Sequence, residues 1–320
     1  MARERPSFLR RLRSIEEIGA VAGLLSICVL LWLSTGEKFA NPSNLLQVAR
    51  QGSSYGILSV GMTLLLAMGE IDLSVGAILT LVNVVTAIAL REGTPMPLAV
   101  FLGLALGTSC GFLNGLLGVA LRIPTIIVTL GTLSVFRGLA LVFSNATAVA
   151  NFSKESLLFQ LGSRSVLGLP TGVLVMLLVG GAGHVLLKHT AFGWRLQAIG
   201  SNAQAARFSG ISLPRYRVAA MTLMGLISGI AGVMELAFLQ SGSPTTGQGY
   251  ELYVIASVII GGTALAGGRG TIVGALLGAL LIAVIRNGLV LLELSAYWGT
   301  AVTGAVIIAA VAVGNLVKKQ

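Results

Sequence analysis

The chain has 320 residues, 55% of them hydrophobic and only 10% charged, where a soluble domain carries roughly a quarter charged residues. With a mean hydropathy of +0.92 and apolar runs along the whole length, a soluble globular enzyme is excluded and a polytopic membrane protein remains. At about 20 residues per spanning helix, there is room for about eight to ten crossings and no sizeable extramembrane domain. The net charge of +10 is read by position, because membrane proteins concentrate Lys and Arg in cytoplasmic loops.

Residues 1–17 carry Arg3, Arg5, Arg10, Arg11 and Arg13 against Glu4, Glu16 and Glu17. A basic flank before the apolar run 18–34 has the outline of a signal peptide, but no small-residue cleavage site follows. The run is read as a retained first helix that starts in the cytoplasm. Further apolar segments occupy 45–68, 73–90, 96–121, 123–143, 166–187, 218–239, 252–266, 271–285 and 295–317. That gives about ten spans in an all-α membrane domain over 18–317, with a cytoplasmic segment 1–17 and a cytoplasmic tail 318–320. The stretch 188–217 holds Lys188, Arg195, Arg207, Arg215 and Arg217 with no acid. Both termini and this loop fall on one side, as the positive-inside rule requires. Eight spans pass the same charge test.

Two segments repeat. Asp72-Leu73-Ser74-Val75-Gly76-Ala77 matches Glu251-Leu252-Tyr253-Val254-Ile255-Ala256 at the acid, Leu, Val and Ala. Asn114-Gly115-Leu116 and Asn287-Gly288-Leu289 follow at comparable distances. The span count gives the copies opposite orientations, the mark of an inverted repeat with a transport path between halves.

Gly103, Gly107, Gly111 and Gly115 line one helical face, as do Gly270, Gly274 and Gly278. Such strips serve close helix packing rather than chemistry. The glycine-rich turn 261–270 lacks the Gly-Lys-Ser/Thr ending of a phosphate loop, so the chain has no ATPase site by this route. Cys28 and Cys110 lie in apolar runs, and His184 and His189 are the two histidines. Neither a metal cluster nor a catalytic triad is legible, and no catalytic residue is assigned.

Acids near or within spans are few: Glu70, Asp72, Glu235 and Glu251. An intramembrane acid is costly and is a functional candidate by default. Asp72 has two readings, a cap on the helix that begins at Leu73 and a solute contact. Arg137 either pairs with one of these acids or reaches an interface.

The segment 188–217 includes Gly200-Ser201-Asn202-Ala203-Gln204-Ala205-Ala206-Arg207-Phe208-Ser209-Gly210. A short helix is expected from Asn202 to Phe208, with Ser201 or Asn202 as cap and Gly210 as stop. Such a helix on a basic loop suits docking to another protein, or lying on anionic lipid.

At this loop the sequence resembles the membrane-spanning subunits of bacterial sugar ABC importers, the ribose/xylose/galactose permease family. The resemblance extends over residues 40–317. It includes Val60-Gly61-Met62-Thr63-Leu64, Ile71-Asp72-Leu73-Ser74-Val75-Gly76, Thr129-Leu130-Gly131-Thr132 with Arg137-Gly138, Pro244-Thr245-Thr246-Gly247-Gln248-Gly249-Tyr250-Glu251-Leu252 and the turn 261–270. Glu70 departs from it, since many members have Gly before the Ile-Asp pair.

The resemblance implies a type II ABC importer-like fold in the bacterial inner membrane, with a second permease copy as homodimer or heterodimer. It further implies a periplasmic sugar-binding protein and a separate ATPase that holds ATP and Mg, this chain binding no cofactor itself. The coupling helix would be 201–208, which gives Gly200, Ser201, Asn202, Ala203, Ala206, Arg207, Phe208 and Gly210 as ATPase-coupling candidates. For the solute pathway the candidates are Asp72, Ser74, Asn83, Asn114 and Glu251; hydroxyl and amide groups offer weak, exchangeable hydrogen bonds to an uncharged sugar. The alternative is an ion-coupled secondary transporter of a small polar solute, with Glu235 or Glu251 as the coupling acid.

Overall fold

A computed structural model describes residues 18–294 except 154, 164 and 167, together with 298, 299, 301, 302, 304, 305 and 308. The expected cytoplasmic segment 1–17, most of the expected tenth span 295–317 and the tail 318–320 lie outside the described residues. Helices α1 (Ile18–Thr35), α2 (Glu37–Ala40), α3 (Pro42–Ala67), α4 (Val75–Arg91), α5 (Met96–Ala120) and α6 (Thr125–Phe143) form the first part. A short α7 (Leu157–Ser163) and an antiparallel ribbon, β1 (Ser165–Val166) with β2 (Leu169–Pro170), precede α8 (Thr171–His189). Then come α9 (Ala191–Ser201), α10 (Ala203–Phe208), α11 (Leu213–Leu239), α12 (Tyr250–Ile260) and α13 (Ile272–Leu291). The helices α5, α6, α8, α11 and α13 are each long and apolar enough to cross a membrane, and α1, α4 and α12 are shorter apolar helices.

Helix α3 is the central post. Asn41 starts it, its side chain accepting from Ser43 N at 2.9 Å with Pro42 in the first turn. Every residue from Gly52 to Ala67 is buried, as expected of a helix surrounded by others rather than amphipathic. It ends where Gly69 turns left-handed at φ 80° and Glu70 N returns to Leu65 O.

The second post is α11, which packs most extensively on α5. Gly107 and Gly111 of α5 face Gly225 and Gly229 of α11, so that backbone meets backbone. A Cβ on Gly107 would sit 2.7 Å from the Gly225 carbonyl oxygen, and one on Gly111 2.8 Å from the Gly225 Cα. The opposite face of α5 exposes Phe101, Leu102, Phe112 and Leu113, a surface suited to lipid or to another transmembrane subunit. The later glycine strip packs likewise, Gly278 against Ser257 and Gly274 against Gly261.

Several expected boundaries move, among them the end of the span 271–285, which runs on to Leu291, and four have a local reason. Helix α4 begins at Val75 rather than Leu73, because Asp72 holds the Ser74 N–H just outside it. Helix α8 begins at Thr171, after the ribbon and Pro170. Helix α11 starts at Leu213, five residues before the expected span, with Arg215 and Arg217 inside its first turns. The expected span 252–266 is an 11-residue helix, α12, that stops at Gly261 and Gly262, the latter at φ 95°. At about 1.5 Å per residue, α12 reaches only part-way across a ~30 Å hydrocarbon layer.

Candidate functional site

Polar side chains gather at three places on this scaffold: a buried joint, a recess at the end where α3 finishes, and a chamber at the end where α3 begins.

The joint brings together three of the five residues expected along a solute pathway. Asp72 Oδ1 accepts from Ser74 N at 2.7 Å and from Ser74 Oγ at 2.6 Å, and Asn114 Nδ2 donates to Ser74 Oγ at 2.8 Å. All three side chains are fully buried. The network pins the start of α4 to the later part of α5, where a lone carboxylate would be expensive. Asn83 lies elsewhere, its Oδ1 accepting from Ser243 N at 2.9 Å and so fastening the 240–249 connection to α4. Glu251, in the first turn of α12, stands against Gly76 of α4, and its Oε2 has no hydrogen-bond partner among the described residues. None of the five lines the recess or the chamber.

The recess, of about 1040 Å³, opens between the α3–α4 turn, the α5–α6 turn and the start of α11. Arg122, Arg207 and Arg217 line it with a single acid, Glu70. Arg217 Nη2 lies 2.5 Å from Glu70 Oε1, and its Nε donates to the same oxygen at 2.7 Å.

Beside the recess stands the α9–α10 segment. Thr190 Oγ1 accepts from Gly193 N at the start of α9. Asn202 caps α10, its Oδ1 accepting from Ala205 N at 2.9 Å, and Gly210 ends the segment at φ 79°. Gly200 is wedged against the Ala67 carbonyl and Gly268 N, and Gly268 N itself donates to Ala67 O at 2.9 Å. A side chain at position 200 would push the segment off the end of α3. Ser201 closes α9 against Gly268. On α10, Ala206 faces inward at 5% exposure and belongs to the main core. The outward face presents Ala203, Gln204, Arg207 and Phe208, the last 83% exposed.

The chamber, of about 340 Å³, lies at the opposite ends of α3 and α11. Gln47, Arg50, Gln51 and Ser54 face it from α3, at helical spacings of three and four that put them on one side. Glu235 and Phe238 come from α11, Gln248 and Tyr250 from the approach to α12, and Arg286 from α13. Glu235 is 93% buried and accepts from Tyr250 Oη at 3.2 Å. Arg286 donates to Tyr55 Oη and stacks 4.3 Å from the Tyr253 ring centroid. Among the described residues neither Glu235 nor either arginine forms an ion pair. Of this set the sequence singles out Glu235 as an intramembrane acid and Gln248 and Tyr250 within a family motif, while the apolar span 45–68 runs straight across the four polar residues of α3. Their spacing was the available signal.

The sequence comparisons agree with this architecture. The family model described as branched-chain amino acid transport system / permease component matches residues 44–311. The chain belongs to this permease family. The ribose import permease protein of Bacillus subtilis (strain 168) is 39% identical over 297 residues, covering 93% of this chain and 92% of that protein. A probable ABC transporter permease protein of Escherichia coli (strain K12) is 37% identical, covering 96% and 92%. The D-allose transport system permease protein of the same strain is 36% identical, covering 92% and 91%. No solved structure matches the chain. The permease is therefore a multi-pass, helical membrane protein of transport type. Among the described residues there is no cluster of His, Cys, Asp and Glu able to hold a metal.

Proposed function

We propose that the chain is the membrane-spanning subunit of an ATP-driven importer of a monosaccharide in the bacterial inner membrane, working with a separate ATPase, a sugar-binding protein and a second permease copy. Ribose and allose permeases among its relatives support the substrate class. The observation that carries the partner is Phe208, which exposes an aromatic ring beside Arg207 on a short, well-capped helix rigidly seated on the end of α3. Exposed aromatic and Arg side chains are favoured anchors in protein interfaces. ATP and Mg belong to the partner in this reading.

Helix packing supports an inverted repeat. Helix α3 packs on α13 as α11 packs on α5; α4 lies against α5 and α11 as α12 lies against α13 and α3. Exchanging α3 with α11, α4 with α12 and α5 with α13 preserves these pairings. Counting α3 with the eight apolar helices and the expected tenth span gives ten, and both termini lie in the cytoplasm with α9 and α10. The Glu70 recess then faces the cytoplasm and the Glu235 chamber faces outward.

The test is uptake of radiolabelled ribose, allose and xylose by membrane vesicles containing the assembled transporter. ATP-dependent uptake that needs the partner ATPase is expected. Uptake driven by an ion gradient through this chain alone would establish the secondary transporter instead. Labelling of Ser209→Cys from the cytoplasmic side only, and of Thr245→Cys from the outer side only, is expected from the topology.

A further inference from the structure

We infer that the chamber between α3, α11, α12 and α13 is a station for the neutral polyhydroxylated solute, lying within one permease chain and lined by Arg50, Ser54, Glu235, Tyr250 and Arg286. The inference rests on the import function proposed above and extends it to residues that the sequence reading did not place on the pathway.

Three observations converge. The first is the cost of the charges. Glu235 is almost wholly buried on a membrane-crossing helix, and two arginines share its chamber. Ionisable groups at such depth are retained for pairing or for function. Here pairing is absent: no ion pair joins Glu235 to either arginine among the described residues. Arg50 lies over the Phe238 ring at 5.4 Å, and its buried Nε has no hydrogen-bond partner. The charged groups thus border a shared space instead of neutralising one another.

The second is chemistry. Guanidinium and amide N–H groups donate, a carboxylate accepts, and a Tyr hydroxyl does both. A sugar hydroxyl also does both, so a ring of hydroxyls can satisfy this mixed lining, whereas a simple anion would leave Glu235 opposed. Phe238 and the Tyr250 ring supply apolar surface for the C–H face of a sugar ring. The third is size and access. The volume of about 340 Å³ falls in the ~300–1,000 Å³ range of small-molecule sites, and Gln248 at its edge is exposed.

The test uses the assembled transporter in its native host, with the permease gene replaced by each variant and ribose, allose and xylose supplied separately. Glu235→Gln and Arg286→Gln are expected to lower the initial uptake rate about tenfold or more, the loss of one hydrogen bond to a charged group. Membrane abundance and ATPase co-purification should stay at the wild-type level. Gln51→Cys is expected to react with a bulky, membrane-impermeant thiosulfonate from outside and to lose uptake on modification; wild type, with Cys110 buried and Cys28 half-buried, should keep it. Wild-type uptake in both charge variants overturns the chamber assignment. So does a Gln51→Cys protein that is fully modified yet still transports, or one that never reacts. If the charge variants lose abundance, the cysteine arm alone decides. Absence of ATP-dependent uptake of all three sugars by the wild-type assembly strikes the import function itself, and this inference with it.

Discussion

Glu70 and Arg217, 147 residues apart in the chain, form a two-pronged ion pair between the α3–α4 turn and the first turns of α11. It ties the two halves of the permease together at the end that carries α9 and α10. Exposed pairs contribute about 0–1 kcal/mol and breaking buried ones costs ~3–5 kcal/mol. This pair, with side chains 14% and 32% exposed, falls between. Glu70→Gln should lower the melting temperature of the detergent-solubilised subunit. The exchange Glu70→Arg with Arg217→Glu should restore it, and failure of the exchange to restore any stability would show that the pair itself does not matter.

Asp72 should behave as part of a joint. Asp72→Asn keeps an acceptor oxygen for Ser74 and should retain much of the transport. Asp72→Leu leaves the Ser74 N–H and the Ser74 hydroxyl without their acceptor, at about 1–3 kcal/mol per buried unsatisfied group, and should reduce the folded yield. Fluorescence-detected size exclusion alongside uptake makes the measurement. A normally assembled Asp72→Asn protein with no uptake would give the carboxylate a transport role.

The two faces of α10 should separate folding from coupling. Phe208→Ala and Arg207→Glu alter exposed positions and should leave membrane abundance unchanged while abolishing ATPase co-purification. Ala206→Trp should instead lower abundance, since overpacking an inward position costs ~1–3 kcal/mol. Retention of the ATPase by both outward variants would favour a lipid-surface helix.

At the α5–α11 contact, Gly111→Leu should remove the folded subunit from the membrane. The neighbours are the Met221 carbonyl and the Gly225 backbone, which cannot rotate away as a side chain would, so the cost lies at or above the top of the ~1–3 kcal/mol range for overpacking. Gly131→Leu on α6, where a Cβ meets nothing within 4 Å among the described residues, should be tolerated for folding. Equal loss of both proteins by membrane immunoblot would contradict the contact.

What the sequence made legible follows from the physics of each signal. Long apolar runs and the Asn202–Gly210 caps act locally, and the helices and α10 stand within a few residues of expectation. Arg217 misleads because a charge that looks loop-like is stabilised by Glu70, far along the chain. The α12 boundary failed for a different reason: Gly261 and Gly262 end a helix within an otherwise apolar stretch. At the candidate sites, the Asp72–Ser74–Asn114 joint depends on α4 and α5 meeting, which spacing alone does not fix. The chamber draws on four helices, and only its α3 face left a pattern.

Helix α11 contributes a wall to both openings, Pro214 and Arg217 at one and Glu235 and Phe238 at the other. From Arg217 to Glu235 the helix rises about 27 Å, braced side by side against α5 through paired glycines with no flexible side chain between the backbones. A beam so braced bends little. Any tilt that widens the gap at Arg217 swings Glu235 the other way, so opening on one face and narrowing on the other become a single motion, like a see-saw whose fulcrum is the glycine contact.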